Sequence, residues 1–349
     1  MNLRLPRGVG ASLAAAVLFG AGAPLAKLLL EAAGPWLLAG LLYLGSGLGL
    51  ALLRRLRGAA RVVLRPGEGR WLAAAVLAGG VAGPVLLMLG LVRMPAASAS
   101  LLLNAEGVFT ALLAWFVFRE NVDRRVALGM LAIVAGGVVL SWPGGAGWAG
   151  WQPALLIAAA CLAWAIDNNL TRKVSLADAS WVAMVKGLAA GGTNLALALA
   201  MGAPWPDWPV VFGAALVGFF SYGASLALFV VALRNLGTAR TGAYFSVAPF
   251  VGAVLAVAMG DAVDARLLAA GALMALGVAL HLTERHEHWH VHEPLEHDHE
   301  HVHGALDPHH EHPHDPPVPP GTRHAHGHRH DPLAHSHPHY PDAHHRHGH

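Results

Sequence analysis

Residues 8–30, GVGASLAAAVLFGAGAPLAKLLL, decide the fold. The run is too long for the apolar centre of a secretory signal, carries no convincing cleavage site, and is followed by many similar segments. About 20 mostly apolar residues suffice to cross the hydrocarbon of a bilayer. It is therefore read as a retained transmembrane helix, and the rest of the chain is searched for others.

Nine further stretches qualify, near 36–53, 71–91, 96–118, 126–141, 151–171, 179–200, 208–232, 238–259 and 264–283. Hydrophobic residues make up 55% of the chain and charged residues 13%, which excludes an ordinary soluble domain. Segments this long and this uniformly apolar exclude barrel strands, so an all-α integral membrane bundle of ten helices is predicted. Gly and Ala dominate several of the segments and suit close helix packing in lipid.

The loops test the count. With a cytoplasmic N-terminus, the inner segments carry Arg4, Arg7, Arg54, Arg55, Arg57, Arg61, Arg65, Arg70, Arg119, Arg124, Arg125, Arg172, Lys173, Arg234 and Arg240, whereas the outer segments carry only Lys27, Arg93 and Arg266. That asymmetry follows the positive-inside rule and puts both ends in the cytoplasm of a bacterial-type inner membrane. Trp36, Trp142, Trp148, Trp151, Trp205 and Trp208 fall at the outer interface, where indole rings settle.

The two halves resemble each other. Leu91-Val92-Arg93-Met94-Pro95-Ala96-Ala97, continuing through Phe109 to Arg119-Glu120, is similar to Leu233-Arg234-Asn235-Leu236-Gly237-Thr238-Ala239, continuing through Phe250 to Gly260-Asp261. Phe19 to Lys27 likewise resembles Trp164 to Lys173. Five helices per repeat is an odd number, so the second repeat enters the membrane inverted, an arrangement that encloses a midplane site in secondary transporters. The expected divisions are 8–141 and 150–283 for the two five-helix repeats, and 284–349 for a tail.

On these residues the chain resembles the drug/metabolite transporter superfamily, specifically its EamA-type members. Gly20-Ala21-Gly22-Ala23-Pro24-Leu25-Ala26-Lys27, Phe109 to Phe118 with Arg119-Glu120, and Gly242-Ala243-Tyr244-Phe245-Ser246-Val247-Ala248-Pro249-Phe250 carry the resemblance. Family members commonly hold an Arg in the second span, where this chain has Leu42-Tyr43. The resemblance implies transport of small organic solutes, often export of amino acids or metabolites, without ATP.

Ionisable side chains inside lipid are costly and point to function. Glu106 stands near the middle of the fourth segment, with Asn104 beside it. It is a candidate to contact substrate or a coupling proton, or else to form a structural pair with Lys186 or a hydrogen bond to a neighbouring helix. Lys186 in the seventh segment can make that pair or snorkel to the inner interface. Asp167, Asn168 and Asn169 align with Gly22-Ala23-Pro24 of the first repeat, and both places are candidate helix interruptions lining a path, or helix-end caps. Tyr244 and Ser246 are weaker candidates, Ser246 because it falls at the pseudo-symmetric level of Asn104. Tyr43, Ser221 and Tyr222 are of the same rank, with interhelical hydrogen bonding as the competing role. Lys27 reads equally as an interfacial anchor. Cys161 is the only cysteine and reads as buried packing.

All 24 histidines fall at or after His281. Residues 1–283 hold 19 basic and 10 acidic residues, a net +9, and residues 284–349 hold 4 and 11, a net −7. The tail is rich in His, Pro, Asp, Glu and Gly and has no apolar periodicity, so it is expected to be disordered in isolation. His286, His288, His290, His292, His297, His299, His301 and His303 are candidate multisite ligands for a divalent Zn, Ni, Co or Cu ion, with Glu296, Asp298 and Glu300 as neighbours. A low-complexity extension with incidental metal affinity and a pH-sensing role for the same histidines are the alternatives.

No phosphate-binding loop, nucleophile elbow or His-Glu-x-x-His motif occurs, so an enzyme is not expected, and no cofactor is required. The expected partners are the bilayer, a small-molecule solute, a coupling proton and a second copy of the chain, with no nucleic acid. Two other readings stand beside the solute transporter: a transporter of divalent metal or metal chelate, and a metal-responsive membrane sensor or scaffold without transport.

Overall fold

The computed structural model describes the chain except residues 1–6, 61, 63, 119–123, 143–149, 172–173, 175–177, 237–240, 242–243, 283–286, 293–294, 303–322, 331–332 and 339–349. Residues 1–284 and 285–349 form separate compact units.

The first unit is a bundle of apolar helices. Seven are long and apolar enough to cross a membrane: Gly8–Leu29, Pro35–Leu56, Glu68–Leu91, Ala96–Leu113, Gln152–Thr171, Ala179–Ala200 and Trp208–Ala232. Three shorter apolar helices, Ala127–Ser141, Ala248–Ala258 and Ala265–Leu280, occupy the remaining expected places. In chain order these are the first to tenth spans. Large apolar side chains cover the outside as well as the inside: Phe116 is 71% exposed and Val254 70%. Only an apolar solvent makes such a surface favourable.

The spans pack in a repeating pattern. The second lies against the seventh, the fifth against the tenth, and the fourth against the ninth. The first packs on the eighth as the sixth packs on the third, and the first packs on the ninth as the sixth packs on the fourth. This set of pairings is unchanged when each span is exchanged for the one five places on. The second and seventh spans meet through Gly40 with Gly191 and Gly47 with Gly187, where any Cβ would run into the facing backbone. Small residues at both faces let the two backbones touch.

The irregular stretches repeat as well. The third span passes through a π-helical segment, Val76–Ala82, and the eighth through another, Phe219–Ala224. The fourth span turns at Leu103-Asn104, and the ninth turns at Ser246-Val247. The starts of both pairs are 143 residues apart, within the 141 (Phe109 to Phe250) to 146 (Lys27 to Lys173) residues that separate the matching stretches of the two halves. Interruption at Asp167, by contrast, does not occur: the sixth span is one helix from Gln152 to Thr171. Its polar side chains are bonded outward or to the preceding turn, leaving the backbone ladder intact. The first span bends only at Ala21, whose angles remain helical, and Pro24 lies buried just beyond it in the first turn of Gly22–Leu29, where its missing N–H costs little.

In the second unit four strands pair: β1 (Glu287–His292) runs antiparallel to β4 (Leu333–Pro338), and β2 (Leu295–Val302) antiparallel to β3 (Arg323–His330). The His-x-His alternation has the two-residue period of a strand, but each ladder has only two strands. Such a ribbon is at best marginally stable alone in water. His286 and His303 lie outside the described residues.

Candidate functional site

The polar centre of the bundle is organised by the sixth span. Asp167 and Asn168 are consecutive on it, so their side chains leave the helix about 100° apart and serve different neighbours. Asp167 is buried, and Lys186 of the seventh span places its ammonium 2.6 Å from both carboxylate oxygens. Thr171, one turn further along, donates its hydroxyl to Asp167 Oδ1 at 3.0 Å. Asn168 faces the fourth span, where its Nδ2 donates to Glu106 Oε1 at 2.8 Å. Glu106 sits in the first turn of the helix Ala105–Phe118, where the aligned peptide dipoles favour a negative charge.

Lys186 therefore neither pairs with Glu106 nor snorkels to the interface. The carboxylate of Asp167 captures it because the sixth and seventh spans are consecutive and antiparallel. Asp167 is four residues from the end of one, and Lys186 seven from the start of the next. Opposite charges at matched depths on consecutive antiparallel helices are a signal the sequence does contain. Span-by-span inspection of isolated ionisable residues passes over it.

The π segment of the third span forms the wall behind the ion pair. A π turn leaves carbonyls without their usual helical partners, and side chains take them up. Gly79 O accepts from Trp164 Nε1 at 2.9 Å and from the Tyr43 hydroxyl at 3.0 Å. Gly80 O accepts from Asn194 Nδ2 at 3.0 Å. Gly79 must be glycine here, since a Cβ would overlap the Asp167 carboxylate. Trp164, Gly79, Thr171 and Asn194 were not singled out by the sequence, because an indole, a glycine or an amide in an apolar run reads as packing.

The second π segment borders an aromatic row. Tyr43 and Tyr222 have ring centroids 5.5 Å apart, Tyr222 meets Phe19 edge-on at 6.0 Å, and Phe19 meets Phe245 at 5.4 Å. Phe229 closes the row against Phe245 at 4.9 Å. Pro24 lies in the neighbouring part of the first span, where adjacent Gly22 faces Ser221 and Tyr222.

The remaining sequence candidates have other places. Asn104 is buried in the break of the fourth span and donates its Nδ2 to Leu101 O at 2.9 Å, satisfying the end of the preceding helical segment. The Cys161 thiol lies 3.8 Å from Leu102 O at the same break. Ser246 forms the turn of the ninth span, and Tyr244 is half-buried in the turn before it. Lys27 donates its ammonium to the carbonyls of Leu91, Val92 and Met94, so it caps the C-terminal end of the third span. Asp261 accepts from Ala97 N at 2.7 Å and caps the start of the fourth span. Near the end of the second span, Arg54 lies 2.6 Å from Asp178, the N-cap of the seventh span.

Among the described residues of the bundle no three His, Cys, Asp or Glu side chains come together to hold a metal ion. Among the described residues the bundle holds instead a buried Asp167–Lys186 ion pair, the Glu106 carboxylate bonded to the exposed Asn168 amide, and carbonyls of the π segment met by side chains. Interrupted helices beside polar groups are an arrangement that recurs in membrane transporters.

The comparisons agree with that class. Residues 6–142 match the EamA-like transporter family. A protein of Methanothermobacter thermautotrophicus described as an uncharacterized transporter is 28% identical over 263 residues, covering 69% of this chain and 76% of that one. A solved crystal structure at 22% identity covers 78% of this chain and 95% of its own with a TM-score of 0.59, and so has the same fold. By these matches the chain is similar to EamA-like membrane transporters.

Proposed function

We propose that the protein is a secondary transporter that exports a small organic solute, of the amino-acid or metabolite class, by alternating access between two inverted five-helix repeats, 8–141 and 150–283. The observation that carries this reading is the pair of polar couples on neighbouring faces of one helix, Asp167 with Lys186 and Asn168 with Glu106. A buried ion pair is not a means of stabilising a fold, since apolar residues of similar volume often do as well or better. Its presence inside an apolar bundle is reasonable if the charges exchange partners during a cycle. A solute with an amine and a carboxylate can replace each protein partner in turn, and Glu106 can carry a coupling proton. The exchange symmetry of the span pairings and the recurrence of breaks 143 residues apart support the two-repeat division. The Arg and Lys distribution supports cytoplasmic ends in an inner membrane. The tail is proposed to bind divalent transition metal on the cytoplasmic side.

The test is transport in proteoliposomes loaded with a panel of amino acids and related metabolites. Glu106→Gln is expected to abolish or slow flux and to flatten its pH dependence. Unchanged flux with an unchanged pH profile removes Glu106 from the coupling role. No flux of any tested organic solute by the wild-type protein turns attention to metal chelates.

A further inference from the structure

A proline follows the first π segment, and none follows the second at the equivalent place. The first segment is closed by Gly83, whose N–H donates to Ala78 O, and the second by Ser225, whose N–H donates to Phe220 O. The next residue is Pro84 in the third span and Leu226 in the eighth. Leu226 has an N–H for the carbonyls behind it. Pro84 has none, so neither Gly79 O nor Gly80 O can be met from that position, and the proline ring crowds the Gly80 carbonyl as well. These are the two carbonyls that Trp164, Tyr43 and Asn194 reach.

The side chains around them fit that demand. Asn194 is fully buried, yet among the described residues its Oδ1 has no hydrogen-bond partner. A half-bonded amide in an apolar bundle is costly, and the bond it keeps is the one to Gly80 O. The two π segments hold equivalent places, the first packed on the sixth and seventh spans and the second on the first and second. Their contacts differ in kind. Gly79 lies against the Asp167 carboxylate, whereas at the equivalent contact Tyr222 lies against Gly22. Gly79 and Tyr222 are 143 residues apart, and Gly22 and Asp167 are 145 apart. The half with the proline is therefore the half in which the π segment meets a charge.

We infer that Pro84 is a positioning residue for the transport site. By withholding an N–H it reserves the carbonyls of Gly79 and Gly80 for Trp164, Tyr43 and Asn194. Those bonds hold the third-span backbone against Asp167, where that carboxylate pairs with Lys186. Trp164 and Asp167 are three residues apart on the sixth span and so share a face, which lets the indole and the carboxylate meet Gly79 together. The inference rests on the reading that the Asp167–Lys186 pair lies on the solute path, and it adds a residue that acts on the pair without touching it.

The full-length protein is tested in proteoliposomes with a radiolabelled mixture of the common amino acids, and by thermal unfolding in detergent. Pro84→Ala supplies the missing N–H. It is expected to raise the apparent KM for the mixture about tenfold, a usual size for coupling between separate positions. The melting temperature is expected to stay level or rise, since alanine is the better helix former. Asn194→Leu is expected to lower the melting temperature in the wild-type background and to cost much less beside Pro84→Ala, because the new N–H then serves Gly80 O. An unchanged KM for Pro84→Ala, whatever happens to maximal rate or stability, overturns the positioning role. An equal cost of Asn194→Leu in both backgrounds overturns the action through the Gly80 carbonyl. A wild-type protein that moves no amino acid overturns the underlying reading of the solute instead, and the Asn194 comparison then still decides whether Pro84 sets these carbonyls.

Discussion

Lys186 Nζ lies 2.6 Å from each carboxylate oxygen of Asp167, with side-chain exposures of 18% and 7%. Breaking such a pair from one side leaves an unpaired charge in an apolar bundle and costs about 3–5 kcal/mol. Lys186→Met and Asp167→Asn are each expected to lower the melting temperature in detergent clearly. The double variant Lys186→Met/Asp167→Asn is expected to recover much of that loss but not transport. Recovery of both stability and flux by the double variant assigns the pair to folding alone.

Gly79 tests how closely the π segment must approach the pair. Gly79→Ala places a methyl group on the Asp167 carboxylate, and overpacking of this kind costs about 1–3 kcal/mol. Combining it with Asp167→Ala removes the obstructing group, so the two changes are expected to be less destabilising together than their sum. Strict additivity in thermal unfolding shows that the clash is relieved elsewhere.

Lys27 is expected to matter for stability more than for substrate. Its ammonium serves the carbonyls of Leu91, Val92 and Met94, and hydrogen bonds to charged groups contribute about 1.5–3 kcal/mol. Lys27→Met therefore lowers the melting temperature while the apparent KM for solute stays near its original value. A changed KM with unchanged stability places Lys27 on the transport path.

The clamp between Arg54 and Asp178 gives a pH dependence with a definite sign. Burial by itself raises the Asp178 carboxyl, but hydrogen bonds from the Ser180 hydroxyl and the Trp181 backbone N–H, together with the Arg54 guanidinium, outweigh it and hold it below the ordinary 3.8. A depressed acid binds fewer protons folded than unfolded, so its contribution to stability is complete above 3.8 and fades as pH falls through the lower folded value. The stability gap between wild type and Asp178→Asn is expected to be constant near neutral pH and to close on acidification below that point. A gap that widens in acid contradicts the clamp.

Much of the fold was legible because lipid imposes one rule on every segment. A backbone that must satisfy its own hydrogen bonds in hydrocarbon becomes a helix wherever about 20 apolar residues run together. Residues 8–30 and their nine successors therefore announced a bundle. Ser246 could be matched with Asn104 because the spacing of the halves is uniform, and both fall in helix turns. The site was less legible. Glu106 was identified from its isolation in an apolar run, but its partner was not, since sequence depth alone pointed to Lys186 and did not single out Asn168.

The sequence by itself determined the solvent of this protein, the number and order of its apolar segments, and the confinement of histidine to the tail. Those properties depend on composition along the chain, which needs no partner to be read. Tertiary structure decided that Asp167 takes Lys186, that Asn168 takes Glu106, that Gly79 yields its carbonyl to Trp164 and Tyr43, and that His297 stands opposite His328. The physical reason is that each of these groups had several acceptable partners within a few residues of its depth or register. Helix rotation, the π turns and strand pairing chose among them.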